Sequence, residues 1–116
     1  MDPTDHLPLL NRDVAIARLL KDRTLYLALL RQFRQMHEHD IDKIEAALRT
    51  GAPNQLHKLV HGLRGAASIV GAERLSAIAS ALLKPGGSAD PTLQNRLCSV
   101  FALTWTAVGR ELGDPE

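Results

Sequence analysis

Aromatic rings, cysteine and an excess of either charge are scarce in this chain. Four of its 116 residues are aromatic: Tyr26, Phe33, Phe101 and Trp105. Strand-rich cores draw on β-branched and aromatic side chains. A chain that takes most of its apolar volume from leucine and alanine favours helix instead. The one cysteine, Cys98, excludes an internal disulfide and fits a reducing compartment. The formal net charge is +1, which gives no general electrostatic footing for nucleic acid. No apolar run approaches the roughly 18 residues that a bilayer demands, so no direct membrane insertion is expected. The opening Met1-Asp-Pro-Thr-Asp5 is acidic, whereas a secretory signal opens with basic residues. The sequence has no glycine-rich phosphate loop and no Asp/Glu cluster suited to magnesium, so neither a cofactor nor a metal of its own is expected. A cytoplasmic, helical domain is the expectation.

The residues present organise that expectation. With 45% hydrophobic and 23% charged residues, the composition is that of one globular domain. Residues 1–10, with two prolines among them, read as an extended lead-in whose leucines lie on the domain. Asn11 is placed to cap a short helix over 12–20, with Val14, Ala15, Leu19 and Leu20 inward. Asp22 is placed to cap a long second helix ending near Thr50. Its inward row is Tyr26, Leu29, Leu30, Phe33, either Met36 or His37, Ile44, Ala47 and Leu48. Gly51 closes that helix, and Pro53 suits the first turn of the next. A third helix runs to Gly71, and a fourth places Leu75, Ile78 or Ala79, and Leu82 inward. After the break at Pro85-Gly-Gly-Ser88, Asp90 and Pro91 open a fifth helix reaching about Leu112. Its inward row is Leu93, Leu97, Phe101, Trp105, Val108 and Leu112. The expected fold is therefore all-α: an antiparallel four-helix bundle over residues 11–112, with a short additional N-terminal helix and a tail over 113–116.

The third helix carries the functional signal. Leu56, Leu59 or Val60, Leu63, Ala67 and Val70 recur at the spacing of one helix face. At 100° per residue, His61 stands roughly 140° from the centre of that face, toward water. Gly65 lies one turn further along the same flank and Gly62 is adjacent. Each glycine inside a helix costs roughly 1 kcal/mol relative to alanine, and bare backbone at this place gives another molecule access to the imidazole. A neutral imidazole is a competent nucleophile near neutral pH. A phosphoryl group on it would want cations nearby. Lys58 and Arg64 flank His61 three residues to either side, and His57 and Ser68 on adjoining turns offer hydrogen bonds. The first acidic residue beyond His61 is Glu73, so no carboxylate one turn away orients the ring. These residues suit a carrier better than a self-sufficient kinase or hydrolase.

The string Val60-His61-Gly62-Leu63-Arg64-Gly65, followed by Gly71 and Leu75, resembles the motif of the histidine phosphotransfer (HPt) domain. That motif reads alanine, histidine, any residue, leucine, lysine, glycine, then a second glycine six residues on and a leucine four beyond it. The resemblance extends over residues 9–112 and includes Ala15–Leu19, Asp22, Leu25, Tyr26, Leu29, Leu30 and Phe33. It implies that His61 is the phosphoacceptor. His61 would take a phosphoryl group from the aspartyl phosphate of one receiver domain and pass it to another. The receiver would bring the magnesium and most catalytic groups. By the same resemblance Arg64 stands for the lysine that holds phosphoryl oxygens, and Gly65 for the glycine that keeps the docking surface open. Arg64 departs from lysine and Val60 from alanine. Where some members carry glutamine or glutamate near the end of the fourth helix, this chain has Leu82, Leu83 and Lys84. The implied setting is a cytoplasmic phosphorelay, either free-standing or as the C-terminal module of a hybrid sensor kinase tethered to the membrane. The isolated domain is expected to be monomeric.

Plainer readings compete for the same residues. His61 as an ordinary surface histidine is countered by the flanking glycines and cations. A docking adaptor for receivers without phosphoryl chemistry is the first alternative function. A metal-binding bundle is the second: His57 and His61 have the i, i+4 spacing of two ligands on one helix, yet no H-E-x-x-H pattern and no third ligand accompany them. His37 and Asp40 read as a paired polar edge of the core. His39 is expected to face solvent. Ile69, a large apolar residue on the outer side of the third helix, either touches the first helix or belongs with His57, Gly62, Gly65 and Ser68 to a docking surface. Cys98 reads as a small buried residue, and Gly86 and Gly87 as loop.

Overall fold

Three of the described α-helices begin where a side chain accepts one of the first free amides. The computed structural model describes residues 4–115. Asn11 Oδ1 accepts from the Val14 amide at 3.4 Å, Asp22 Oδ1 from Leu25 at 2.9 Å and Asp90 Oδ1 from Thr92 at 2.9 Å. These caps open α1 (Arg12–Arg18), α2 (Arg23–His37) and the last helix, α6 (Pro91–Glu111). Between them lie α3 (Asp40–Thr50), α4 (Pro53–Val70) and α5 (Glu73–Leu83), with a single 3-10 turn at Gly87–Ala89. Gly51 and Gly71 end α3 and α4 in the left-handed conformation, at φ +66° and +81°.

The second helix, expected to run unbroken over 22–50, is two helices. Neither proline nor glycine lies between Asp22 and Thr50 to mark the break. The joint is made by a buried polar pair. Asp40, only 5% exposed, opens α3 and meets His37 Nδ1 at 2.8 Å across the turn formed by Glu38 and His39. His37 therefore takes the inward place and Met36 faces out. This is the paired core edge that the spacing of the two residues implies. Both α2 and α3 lie against α4 and together form one bent rod. With α4, α5 and α6 they complete an antiparallel four-rod bundle in which α6 closes back on α2.

The buried rows are Leu56, Val60, Leu63, Ala67 and Val70 on α4, and Leu75, Ile78, Ala79 and Leu82 on α5. Aromatics are concentrated at the α2–α6 seam. Trp105, half-buried, stacks on Phe101 with ring centroids 4.2 Å apart and meets Phe33 at 5.1 Å. Tyr26 is fully buried and donates to the Val70 carbonyl at 3.0 Å, tying α2 to the end of α4.

Two residues expected inward on the first helix are exposed. The helix stops at Arg18, and Leu20 and Lys21 then adopt left-handed φ of 56° and 64°. That turn throws Leu20 outward to 95% exposure, and Val14 sits on the outer side. Ala15, Ile16 and Leu19 make the α1 contact with the core instead. Before α1 the expected extended lead-in is interrupted by a turn at residues 4–6, closed by the Leu7 amide on Thr4 O at 2.9 Å, and the chain after it is pinned to the domain. Arg74 donates from its backbone amide to Pro8 O at 3.1 Å and from Nε to Leu7 O at 2.9 Å. The Asn11 amide reaches Gly71 O at 2.7 Å. Residues 1–3 of the expected lead-in and residue 116 of the expected tail lie outside the described residues.

Candidate functional site

α4 opens at Pro53 and presents one face to the core. The opposite arc holds His57, Lys58, His61, Gly62, Gly65, Ser68 and Ile69, all exposed. The structure thus gathers the residues singled out from the sequence on one side of one helix. Arg64 is half-buried at the edge nearest α5, where its carbonyl accepts from Ser76 Oγ at 3.4 Å.

The glycines are informative because the fold does not require them. A Cβ built on Gly62 or Gly65 would meet nothing within 4 Å. At Gly71, by contrast, a Cβ would lie 2.5 Å from the Asn11 carbonyl oxygen. Internal packing explains Gly71 and leaves Gly62 and Gly65 without a structural reason.

Charge on this face is one-sided. No acidic residue occurs between Pro53 and Val70. Lys58 and Arg64 make no ion pair among the described residues, and neither does Lys84 at the end of α5. An anion arriving at His61 would meet cations not already neutralised. The His57 and His61 rings lie 6.1 Å apart at 24°.

On the α2 side of this arc is a shallow depression of about 220 Å³, lined by Leu29, Phe33, Met36, Ala66 and Ile69 among others. Met36 is 62% exposed and Ile69 59%. Ile69 thus lies open beside α2. Met36 was missing from the sequence-based site because the unbroken second helix left it interchangeable with His37. Only the joint at Asp40 separates the two. On the α5 side, His57, Leu83 and Lys84 help line a second depression of about 290 Å³.

Cys98 stands apart on α6, half-buried with Sγ 3.8 Å from Glu45 Oε1. Burial, and then the negative charge of Glu45, push its thiol above the ordinary cysteine range, which keeps it protonated and a poor nucleophile. Among the described residues no group of three or more His, Cys, Asp or Glu is placed to hold a metal ion. No described helix is long and apolar enough to cross a membrane.

The bundle thus presents the exposed imidazoles of His57 and His61 beside bare backbone at Gly62 and Gly65. The Hpt domain family model matches residues 28–108, most of the chain, and the chain belongs to that family. Hpt domains carry phosphoryl groups on histidine in two-component phosphorelays and work with receiver domains as carriers, not as classical enzymes. No curated protein and no solved structure matches this chain.

Proposed function

We propose that His61 is the phosphoacceptor, taking a phosphoryl group from a receiver aspartyl phosphate and yielding it to a second receiver. In the accepting step the unprotonated ring nitrogen attacks phosphorus. The N–P bond forms as the acyl O–P bond breaks, the aspartate leaves as a carboxylate, and the other ring nitrogen sheds its proton. Magnesium for this step belongs to the receiver. Arg64 and Lys58 hold the phosphoryl oxygens with cationic N–H donors. Gly62, Gly65, Ser68 and Ile69, with His57 at the edge, form the surface on which the receiver sits, and the Met36–Ile69 depression extends it. Phosphoryl transfer depends chiefly on positioning and charge stabilisation, so an exposed histidine suffices when the partner supplies the rest. Residues 11–112 form the working unit, placed in the cytoplasm as a free protein or as the last module of a hybrid kinase.

The observation that carries this reading is the empty space around Gly62 and Gly65 beside an exposed His61. The test is incubation with a receiver domain, magnesium and acetyl phosphate. Label on the carrier should be acid-labile and base-stable, as an N–P bond is, and absent from His61→Gln. Equal labelling of that variant would overturn the assignment. Receiver binding by wild type without any label would favour the adaptor reading.

A further inference from the structure

An exposed histidine has two free torsions, and a nucleophile that wanders pays for it in rate. A helical side chain leans toward the N-terminal turn, so the His61 ring leans over the turn that carries His57. There the two imidazoles lie 6.1 Å apart and 24° from parallel, within the range of offset ring stacking. The two sides of His61 are unlike. Toward α2 stand Gly62 and Gly65, with nothing within 4 Å of either Cβ position. Toward α5 stands His57, which shares a depression with Leu82, Leu83 and Lys84. Of these three, Leu82 is buried and Leu83 half-buried. The aromatic neighbour of His61 among the described residues is thus on α4 itself.

We infer that His57 is a positioning residue: its ring buttresses the His61 imidazole from the α5 side and holds it turned toward the bare glycine flank where a phosphoryl donor enters. The inference rests on the carrier reading for its consequence and on the ring geometry for its cause, so two readouts separate them. Stacking, not charge or hydrogen bonding, is the working element. With the receiver at saturating concentration, so that any change in docking drops out, His57→Ala should slow phosphoryl acceptance by roughly 3- to 10-fold, the effect of a loosened near-attack geometry. His57→Phe, which keeps a ring, should restore most of that loss, and His57→Asn should not. In the NMR spectrum of the unphosphorylated protein, His61 side-chain couplings should show one dominant χ1 rotamer in wild type and in His57→Phe, and averaging in His57→Ala. Equal acceptance rates in wild type and His57→Ala would overturn the inference, and so would rescue by His57→Lys in place of His57→Phe. If wild type took no label at all, the carrier reading would fall while the His61 couplings still decided whether His57 holds the ring.

Discussion

Gly65 puts stability and function in opposition at one residue. A helical glycine with open space around it is a stability loss that alanine removes without strain. Gly65→Ala should therefore raise unfolding free energy by about 0.5–1 kcal/mol in a urea titration. Gly65→Leu should fold as well as wild type but fill the approach to His61, weakening receiver affinity by isothermal titration. A stable Gly65→Leu protein with wild-type affinity would remove the docking argument. Arg64 belongs to the same scale. Among the described residues it has no ion pair to lose, so Arg64→Ala should leave the melting temperature within a few degrees of wild type. The same substitution should shorten the lifetime of the phosphorylated form, which a decay time course measures. A large drop in melting temperature would make Arg64 a structural residue instead. The exposure of His61 was legible from the sequence because helical angle alone decides it. The outward turn of Met36 was not, because it depends on where a helix ends.

That helix end shows what local sequence does and does not encode. The caps at Asn11, Asp22 and Asp90, and the closures at Gly51 and Gly71, are local chemistry and follow from residue type. The break between α2 and α3 is not marked by glycine or proline, and its local hints, the weak helix formers His37, His39 and Asp40 and the first-turn acids Asp40 and Asp42, are faint. It exists because Asp40 is buried and His37 answers it at 2.8 Å, a tertiary arrangement that periodicity cannot see. The outward Leu20 is a similar case, decided by a left-handed turn without glycine. The pair can be probed directly. His37→Ala leaves a buried carboxyl without its partner and should cost about 1–3 kcal/mol in unfolding free energy. Asp40→Asn keeps a hydrogen-bonding side chain opposite His37 and should cost less. If both variants unfolded at the wild-type urea midpoint, some other contact would hold the bend. At the other end of the core, Gly71→Ala should cost at least about 2 kcal/mol, because it combines a +81° φ with a Cβ 2.5 Å from Asn11 O. The resulting loss would also free the chain before α1 from the α4–α5 turn, which amide exchange at Asn11 and Arg74 would report.

At the scale of the whole molecule, Tyr26 reports whether the bundle is closed. It is the only tyrosine, it is fully buried, and its hydroxyl spans from α2 to the Val70 carbonyl. Burial, and after it the negative charge of Glu111, push its pKa up to about 12, against an ordinary value near 10. The sign of the linkage follows. Below about pH 10 both folded and unfolded chains hold the phenol proton, and the stabilisation is fully present. Between about pH 10 and about 12 the unfolded chain loses its proton first, so stability falls as pH rises through that window. With one tyrosine, the rise of phenolate absorbance reads this event without ambiguity. Folded protein should show little phenolate at pH 10.5, whereas urea-unfolded protein at the same pH should show most of it. Tyr26→Phe removes both the titrating proton and the hydrogen bond to Val70. It should lower stability at pH 7 by about 1 kcal/mol and flatten the decline between about pH 10 and about 12 relative to wild type. Phenolate absorbance that rose near pH 10 in the folded protein would mean that water reaches the seam between α2 and α4, and that the rod carrying His61 is not held as rigidly as a positioned nucleophile needs.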